Sequence, residues 1–159
     1  MAVLVMFAAV AFSAACGPSA AELKTAQTAT YNTQAADLYK VALDVVSVDY
    51  KIGDNQPPVG FATVPQWYSR EGGRQSAGAG DYVQIEGGSV RLSILVEIVE
   101  IDDGKYAVKV TPHTFEHLSG SPQPRELKPD DPNLPPWVTG RVESVQMAIY
   151  KSAQQFAAK

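Results

Sequence analysis

Val90-Arg-Leu-Ser-Ile-Leu-Val-Glu-Ile-Val-Glu-Ile101 is the stretch on which the fold turns. Val90, Leu92, Ile94, Val96 and Ile98 recur at every second position, the interval at which a β-strand returns to the same face. Asp102-Asp103-Gly104 follows at once, and glycine suits a tight hairpin turn because it takes a positive φ without steric penalty. Tyr106, Val108 and Val110 alternate on the way back. Residues 90–110 therefore predict an antiparallel hairpin whose apolar face needs a cover.

Toward the N-terminus, Ala35, Leu38, Tyr39, Ala42, Leu43, Val45 and Val46 fall at the i, i+3, i+4, i+7 spacing of an amphipathic helix, with Asn32 or Thr33 as N-cap. Val48, Tyr50 and Ile52 alternate with Asp49 and Lys51 and predict a strand, and Gly53 to Pro58 predicts a turn. A second extended stretch, Val59 to Ser69, places Val59, Phe61, Thr63 and Trp67 on one face, with Pro65 marking an edge or a bulge. Glu71 to Gly80, rich in Gly, Ser and Gln, reads as a mobile loop. Toward the C-terminus, Ser119 to Pro136 carries six prolines, which exclude a helix or a central strand and leave a long extended loop. Val138, Val142, Val145, Ile149, Ala153 and Phe156 then mark one stripe of a terminal helix, with Gln146 on the opposite side. The expected fold is α+β: an antiparallel meander sheet of four or five strands, with an N-terminal and a C-terminal helix packed on one face. By element order alone it resembles the helix-grip layout of small envelope lipoproteins and of some apolar-ligand carriers.

The first twenty-one residues contain no Asp, Glu, Lys or Arg. Ala2 to Ala15 is apolar, then small, and as a helix would rise about 21 Å, too short to cross a hydrocarbon core of about 30 Å comfortably. It has the length and character of a signal-peptide core. Ser13-Ala14-Ala15-Cys16 then resembles the bacterial lipobox, in which two small residues precede a cysteine that receives a diacylglyceryl group. Cys16 is the single cysteine of the chain and can form no intramolecular disulfide. The resemblance implies cleavage before Cys16 and lipid attachment to it, with residues 1–15 as signal peptide, 16–31 as lipidated N-terminus and tether, and 32–159 as one α+β domain. Two features depart from the pattern. Met1-Ala2 supplies no basic residue, which suggests a start upstream, and Ser13/Ala15 or Ser19/Ala21 also fit ordinary signal peptidase. By analogy with enteric bacteria, Gly17 after the cysteine, in place of an inner-membrane retention aspartate, favours the periplasmic face of the outer membrane.

After removal of residues 1–15 the net charge stays at −4, and the remaining length suits a single core. A weakly acidic chain without a basic cluster argues against a nucleic-acid partner. The membrane is expected to be met only through the N-terminal lipid, since no second apolar run approaches the length of a span.

His113-Thr-Phe-Glu116-His117 matches the H-x-x-E-H pattern of inverted zinc peptidases, which needs both imidazoles one helical turn apart and a glutamate beside the bound water. Pro112 before it and Leu118-Ser-Gly-Ser-Pro122 after it leave no helix to carry the motif. In an extended segment His113, Phe115 and His117 share one face and Glu116 points away. Gly72, Gly73, Gly78, Gly80, Gly87 and Gly88 lack the strand-then-helix setting of a phosphate loop. Asp130-Asp131 and Glu126 are broken by Pro129 and Pro132 out of calcium-loop spacing and read as turn acids. Trp67, Tyr68 and Trp137 read as core or stapling residues, or alternatively as an aromatic patch for a partner protein or peptidoglycan.

These residues point to a non-catalytic binding or assembly accessory of the cell envelope, with no cofactor and no resident metal. An apolar small-ligand carrier, using the space between the terminal helix and the sheet, is the alternative. A zinc hydrolase built on His113, Glu116 and His117 comes third.

Overall fold

The computed structural model describes residues 18–75 and 85–158. The proposed signal peptide, Cys16 and residues 76–84 of the Gly-rich stretch lie outside the described residues. The architecture is α+β: α1 (Ala20–Thr28), β1 (Tyr31–Asn32), α2 (Ala35–Val46), β2 (Ile52–Gln56), β3 (Gly60–Thr63), β4 (Gln66–Tyr68), β5 (Val90–Asp102), β6 (Lys105–Glu116), β7 (Arg125–Leu127) and α3 (Pro136–Ala153). Seven strands form one antiparallel sheet in the order β1-β6-β5-β3-β2, with β4 alongside β5 and β7 alongside β6. The expected four or five strands become seven because β1, β4 and β7, at two or three residues each, are too short to leave a period in the sequence.

The β5–β6 hairpin is the spine of the fold. It pairs from Val90↔Glu116 to Asp102↔Lys105 and turns at Gly104, whose φ is 70°. Val90, Leu92, Ile94, Val96 and Ile98 are buried as the alternation predicts. They meet Leu38, Tyr39, Ala42 and Val46 of α2 and Val138, Val145, Ile149 and Ala153 of α3 in one apolar cluster. Burying a Leu, Ile or Val side chain contributes roughly 1.5–3 kcal/mol relative to exposure, so this face orders the domain.

β2 runs over Ile52–Gln56, later than the expected strand. Ser47 to Tyr50 continues as a turn off the end of α2, and Val48 is fully displayed to solvent. Gly53 to Gln56, read as turn, is strand, and the reversal falls at Pro57-Pro58-Val59. The anchor of β2 is polar and escapes hydrophobic periodicity: the Tyr39 hydroxyl donates to Asn55 Oδ1 across 16 residues. Gln34, with no side-chain cap bond, occupies the N-cap of α2 in place of Asn32 or Thr33.

The extended stretch 59–69 divides at Val64-Pro65. Ala62 pairs with Leu95 and Gln66 with Leu92, so β3–β4 advances four residues while β5 advances three. The extra residue is a bulge, and it exchanges the faces. Phe61 and Thr63 are buried before it, whereas after it Tyr68 is buried and Trp67 turns to the other side. The expectation that Trp67 shares a face with Phe61 is therefore corrected by one inserted residue.

The segment read as a tether contains a helix. Ser19 Oγ accepts from the Glu22 amide at 3.2 Å, while Glu22 Oε2 accepts from the Ser19 amide at 2.8 Å, a complete capping box. Ala26 of α1 is buried, and its carbonyl accepts from Gln146 Nε2 at 3.0 Å. Gln146 also donates to the Val108 carbonyl at 3.4 Å. The side of α3 expected to face water is thus covered by α1, and Gln146 is buried. In the proline-rich loop, β7 is an edge strand of three residues. Pro136 stands in the first turn of α3, where its missing N–H costs nothing.

Tyr31 of β1 is fully buried, and its hydroxyl has no hydrogen-bond partner among the described residues. Burial, and secondarily the neighbouring Tyr150, push this phenol up to about 12 from its ordinary 10. Above pH 10 the unfolded chain releases the Tyr31 proton while the folded chain keeps it, so stability should fall as pH rises from 10 toward 12. Burial also raises Tyr39 and Tyr68, so Tyr31→Phe should lessen that alkaline loss without abolishing it. At pH 7, removing an unpartnered buried hydroxyl should leave stability unchanged or slightly higher. Urea melts at pH 7 and pH 11 check both expectations.

Candidate functional site

The helices cover one face of the sheet, and among the described residues the other face is open. Along β5 the open-face residues are Arg91, Ser93, Leu95 and Glu97, opposite Phe115, His113, Thr111 and Lys109 of β6. β3, the bulge and β2 rise beside them to make a cleft of about 550 Å³. That volume lies within the range of small-molecule sites. Leu95, Ala62 and Phe115 line its floor, and Val59, Val64 and Pro65 its wall. Val59 and Val64 are exposed apolar side chains. Ser93 is already engaged, its hydroxyl donating to the Thr63 carbonyl at 2.7 Å.

The two ends of the cleft differ in charge. Asp54 and Glu97 stand at one end, where Glu97 lies 3.6 Å from Lys109 Nζ. Arg91 and His113 stand at the other. The bulge delivers Trp67 to this second end, opposite Arg91. The Arg91 guanidinium lies 4.8 Å from the centre of the Phe115 ring and 5.6 Å from that of Trp67. Trp67 in turn meets His117 edge-on at 6.3 Å. A cation held between two rings is fixed in direction, and among the described residues no carboxylate pairs with it.

The H-x-x-E-H residues lie on or just beyond the end of β6 and do not converge. His113 is exposed on the open face and His117 is half-buried on the same side. His117 follows His113 by four positions, about 13 Å of rise in extended chain. Glu116 is buried on the opposite face, where Oε1 accepts from Arg70 at 3.0 Å and Oε2 from Arg125 at 2.7 Å. Its carboxylate ties the chain after β4, the end of β6 and the start of β7 together. The helical geometry that zinc chemistry asks of this motif is not formed.

Trp67, Tyr68 and Trp137 do not make one patch. Tyr68 and Trp137 pack on the helix side at 5.0 Å, with the Arg141 guanidinium 4.6 Å from the Tyr68 ring and 5.5 Å from the Trp137 ring. Trp137 Nε1 donates to the Arg70 carbonyl at 2.9 Å and Arg141 to that of Gly72 at 3.2 Å. The Ser69–Gly73 turn lies against the indole so closely that a Cβ on Gly72 would sit 2.9 Å from Trp137 Cγ. These aromatics staple α3 to the turn after β4. They also line a hollow of about 560 Å³ with Asp49, Tyr50 and Arg74, but its cations are engaged, Arg141 as above and Arg74 with Gln66.

The space between α3 and the sheet, which the alternative reading gives to an apolar ligand, is filled by Val138, Val145 and Ile149 against the strands. A shallow notch remains beside the hairpin, between Val99, Ile101 and Val142. Asp131 is a turn acid, as read: its carboxylate accepts from the Asn133 amide at 2.8 Å, which lowers its pKa. No helix among the described residues is long and apolar enough to cross a membrane. Sequence reasoning missed Arg91 and Leu95, because a strand read for its buried positions leaves the alternate ones as filler. Family models, curated proteins and solved structures offer no match to this chain, so the open face alone carries the functional reading.

Proposed function

We propose that this chain is an exported lipoprotein, anchored through lipid on Cys16, whose α+β domain is a non-catalytic binding module of the cell envelope. The observation that carries the binding role is the face of the sheet that the described residues leave uncovered. A soluble domain gains by covering apolar surface, yet Val59, Val64, Leu95 and Phe115 line an open cleft beside an oriented cation. The lipid anchor rests on Ser13-Ala14-Ala15-Cys16 and the uncharged run before it. Placement at the periplasmic face of the outer membrane rests on Gly17, and contact with an envelope protein or peptidoglycan is the broader form of the same role.

Expressed behind a basic leader, the protein should incorporate labelled palmitate and partition into detergent, and Cys16→Ser should lose both. Label that survives the substitution would refute the anchor. For the binding role, a photoreactive residue at position 95 should give an adduct in cells, while the same residue at Lys40, exposed on the outer side of α2, should give none. Equal yields at the two positions would overturn the open face as the working surface.

A further inference from the structure

We propose that the open-face cleft binds a single-chain amphiphile with a carboxylate head, the head on Arg91 and the alkyl chain along Leu95 toward β2. This rests on the reading of the open face as the binding surface and names its ligand class. Arg91 is the basis of the head-group assignment. Its guanidinium is permanently charged, presents a planar fork that matches a carboxylate, and is held in place by Phe115 and Trp67. Glu126, the strand partner of Phe115, is the nearest acid along that row, and it makes no ion pair with Arg91.

The charge at the two ends sets the direction. At the far end Glu97 is already paired with Lys109 and Asp54 disfavours an anionic head, while Arg91 and His113 receive it. From Arg91 to Glu97 the floor runs six residues of β5, about 20 Å, long enough for an extended alkyl chain. The middle of the cleft favours an alkyl chain over a peptide. Ala62, Leu95, Val64 and Pro65 offer no side-chain hydrogen bond, and the Ser93 hydroxyl already donates to Thr63. A peptide laid there would find no side-chain donor along this stretch for its own carbonyls, whose desolvation without partners opposes binding. A methylene chain carries no such penalty and gains with each CH₂ buried.

The test is calorimetric titration of the full chain bearing Cys16→Ser, so that no acyl group of its own competes, with dodecanoate below its micelle concentration. Dodecanoate should bind saturably at one per chain. Arg91→Gln should weaken it at least tenfold, and Arg91→Lys should restore part of the loss. Dodecanol, lacking the charge, should bind at least tenfold more weakly than dodecanoate and be indifferent to Arg91→Gln. Leu95→Asp should abolish binding of both. Absence of saturable dodecanoate binding, or binding unmoved by Arg91→Gln, overturns the proposal. If dodecanoate fails while position 95 still crosslinks to a protein, the ligand class falls and the open-face reading stands. If neither occurs, both fall.

Discussion

Ile149→Ala should destabilise the domain by about 2–5 kcal/mol, the range for truncating a buried aliphatic to alanine. Ile149 is fully buried at the centre of the cluster that joins α3 to α2 and the sheet. No neighbour on the rigid β5–β6 hairpin can move in to fill the space, which favours the upper part of that range. At roughly 3 °C per kcal/mol for a domain of this size, the melting temperature should drop by on the order of ten degrees. Gln146→Ala, three residues earlier, should also register, by about 1–3 kcal/mol, because it strands the Ala26 and Val108 carbonyls that its amide serves. Calorimetric melting of both variants checks this. A Gln146→Ala melt equal to wild type would mean that α1 contributes nothing to the fold.

The second large effect should come from Gly60. A Cβ at this position would lie 2.5 Å from the Val96 carbonyl oxygen and 3.2 Å from Glu97 Cα, both backbone atoms of the central strand. No rotamer change relieves such a contact, so β3 must move off β5. Gly60→Ala should destabilise by about 1–3 kcal/mol, as other overpacking substitutions do, and Gly60→Val by more. Because β3 carries the wall of the cleft, dodecanoate binding should fall in step with the melting temperature. Gly104→Ala is the contrast. There a Cβ would meet no atom within 4 Å, and only the positive φ opposes it, so the cleft should survive.

The elements that were legible in the sequence are those whose apolar residues repeat. The β5–β6 hairpin, α2 over Ala35–Val46 and the stripe of α3 could each be read because burial on one side imposes a period, although Val142, expected in that stripe, stands half-buried at the notch beside the hairpin and outside the core. Elements held by polar or very local forces could not. β2 has one partly buried residue and is secured by Tyr39 and Asn55. β1 and β7 are too short to show any period. α1 buries only Ala26, and its one sequence signal is the capping box Ser19-Ala-Ala-Glu22, which lacks an apolar period behind it. The site was half visible. His113, Phe115 and His117 on one face, with Glu116 reversed, followed from extended geometry. Trp67 and Tyr68, neighbours on one strand, take opposite faces by alternation alone; which of the two joins Trp137 depended on a single inserted residue near Pro65, whose effect no composition or spacing carries. Arg91 and Leu95 take on meaning only from what β3 and β6 place beside them.

With lipid on Cys16 as proposed, the capping box at Ser19 turns a loose mooring into a short stay. Two residues separate the anchor from the N-cap, three Cα steps with a reach of about 11 Å at full extension, and beyond it the chain is bolted to α3 through Ala26 and Gln146. The domain would not sweep out a hemisphere above the bilayer, as it would on a flexible run through residue 31. It would ride close to the headgroups, with few tilts open to it. α1 belongs to the helical layer, so the sheet stands between mooring and cleft, and the cleft would look away from the point of attachment. A ligand leaving the membrane would then have to travel around the edge of the sheet, and lengthening the chain between Cys16 and Ser19 would shorten that detour by letting the domain roll over.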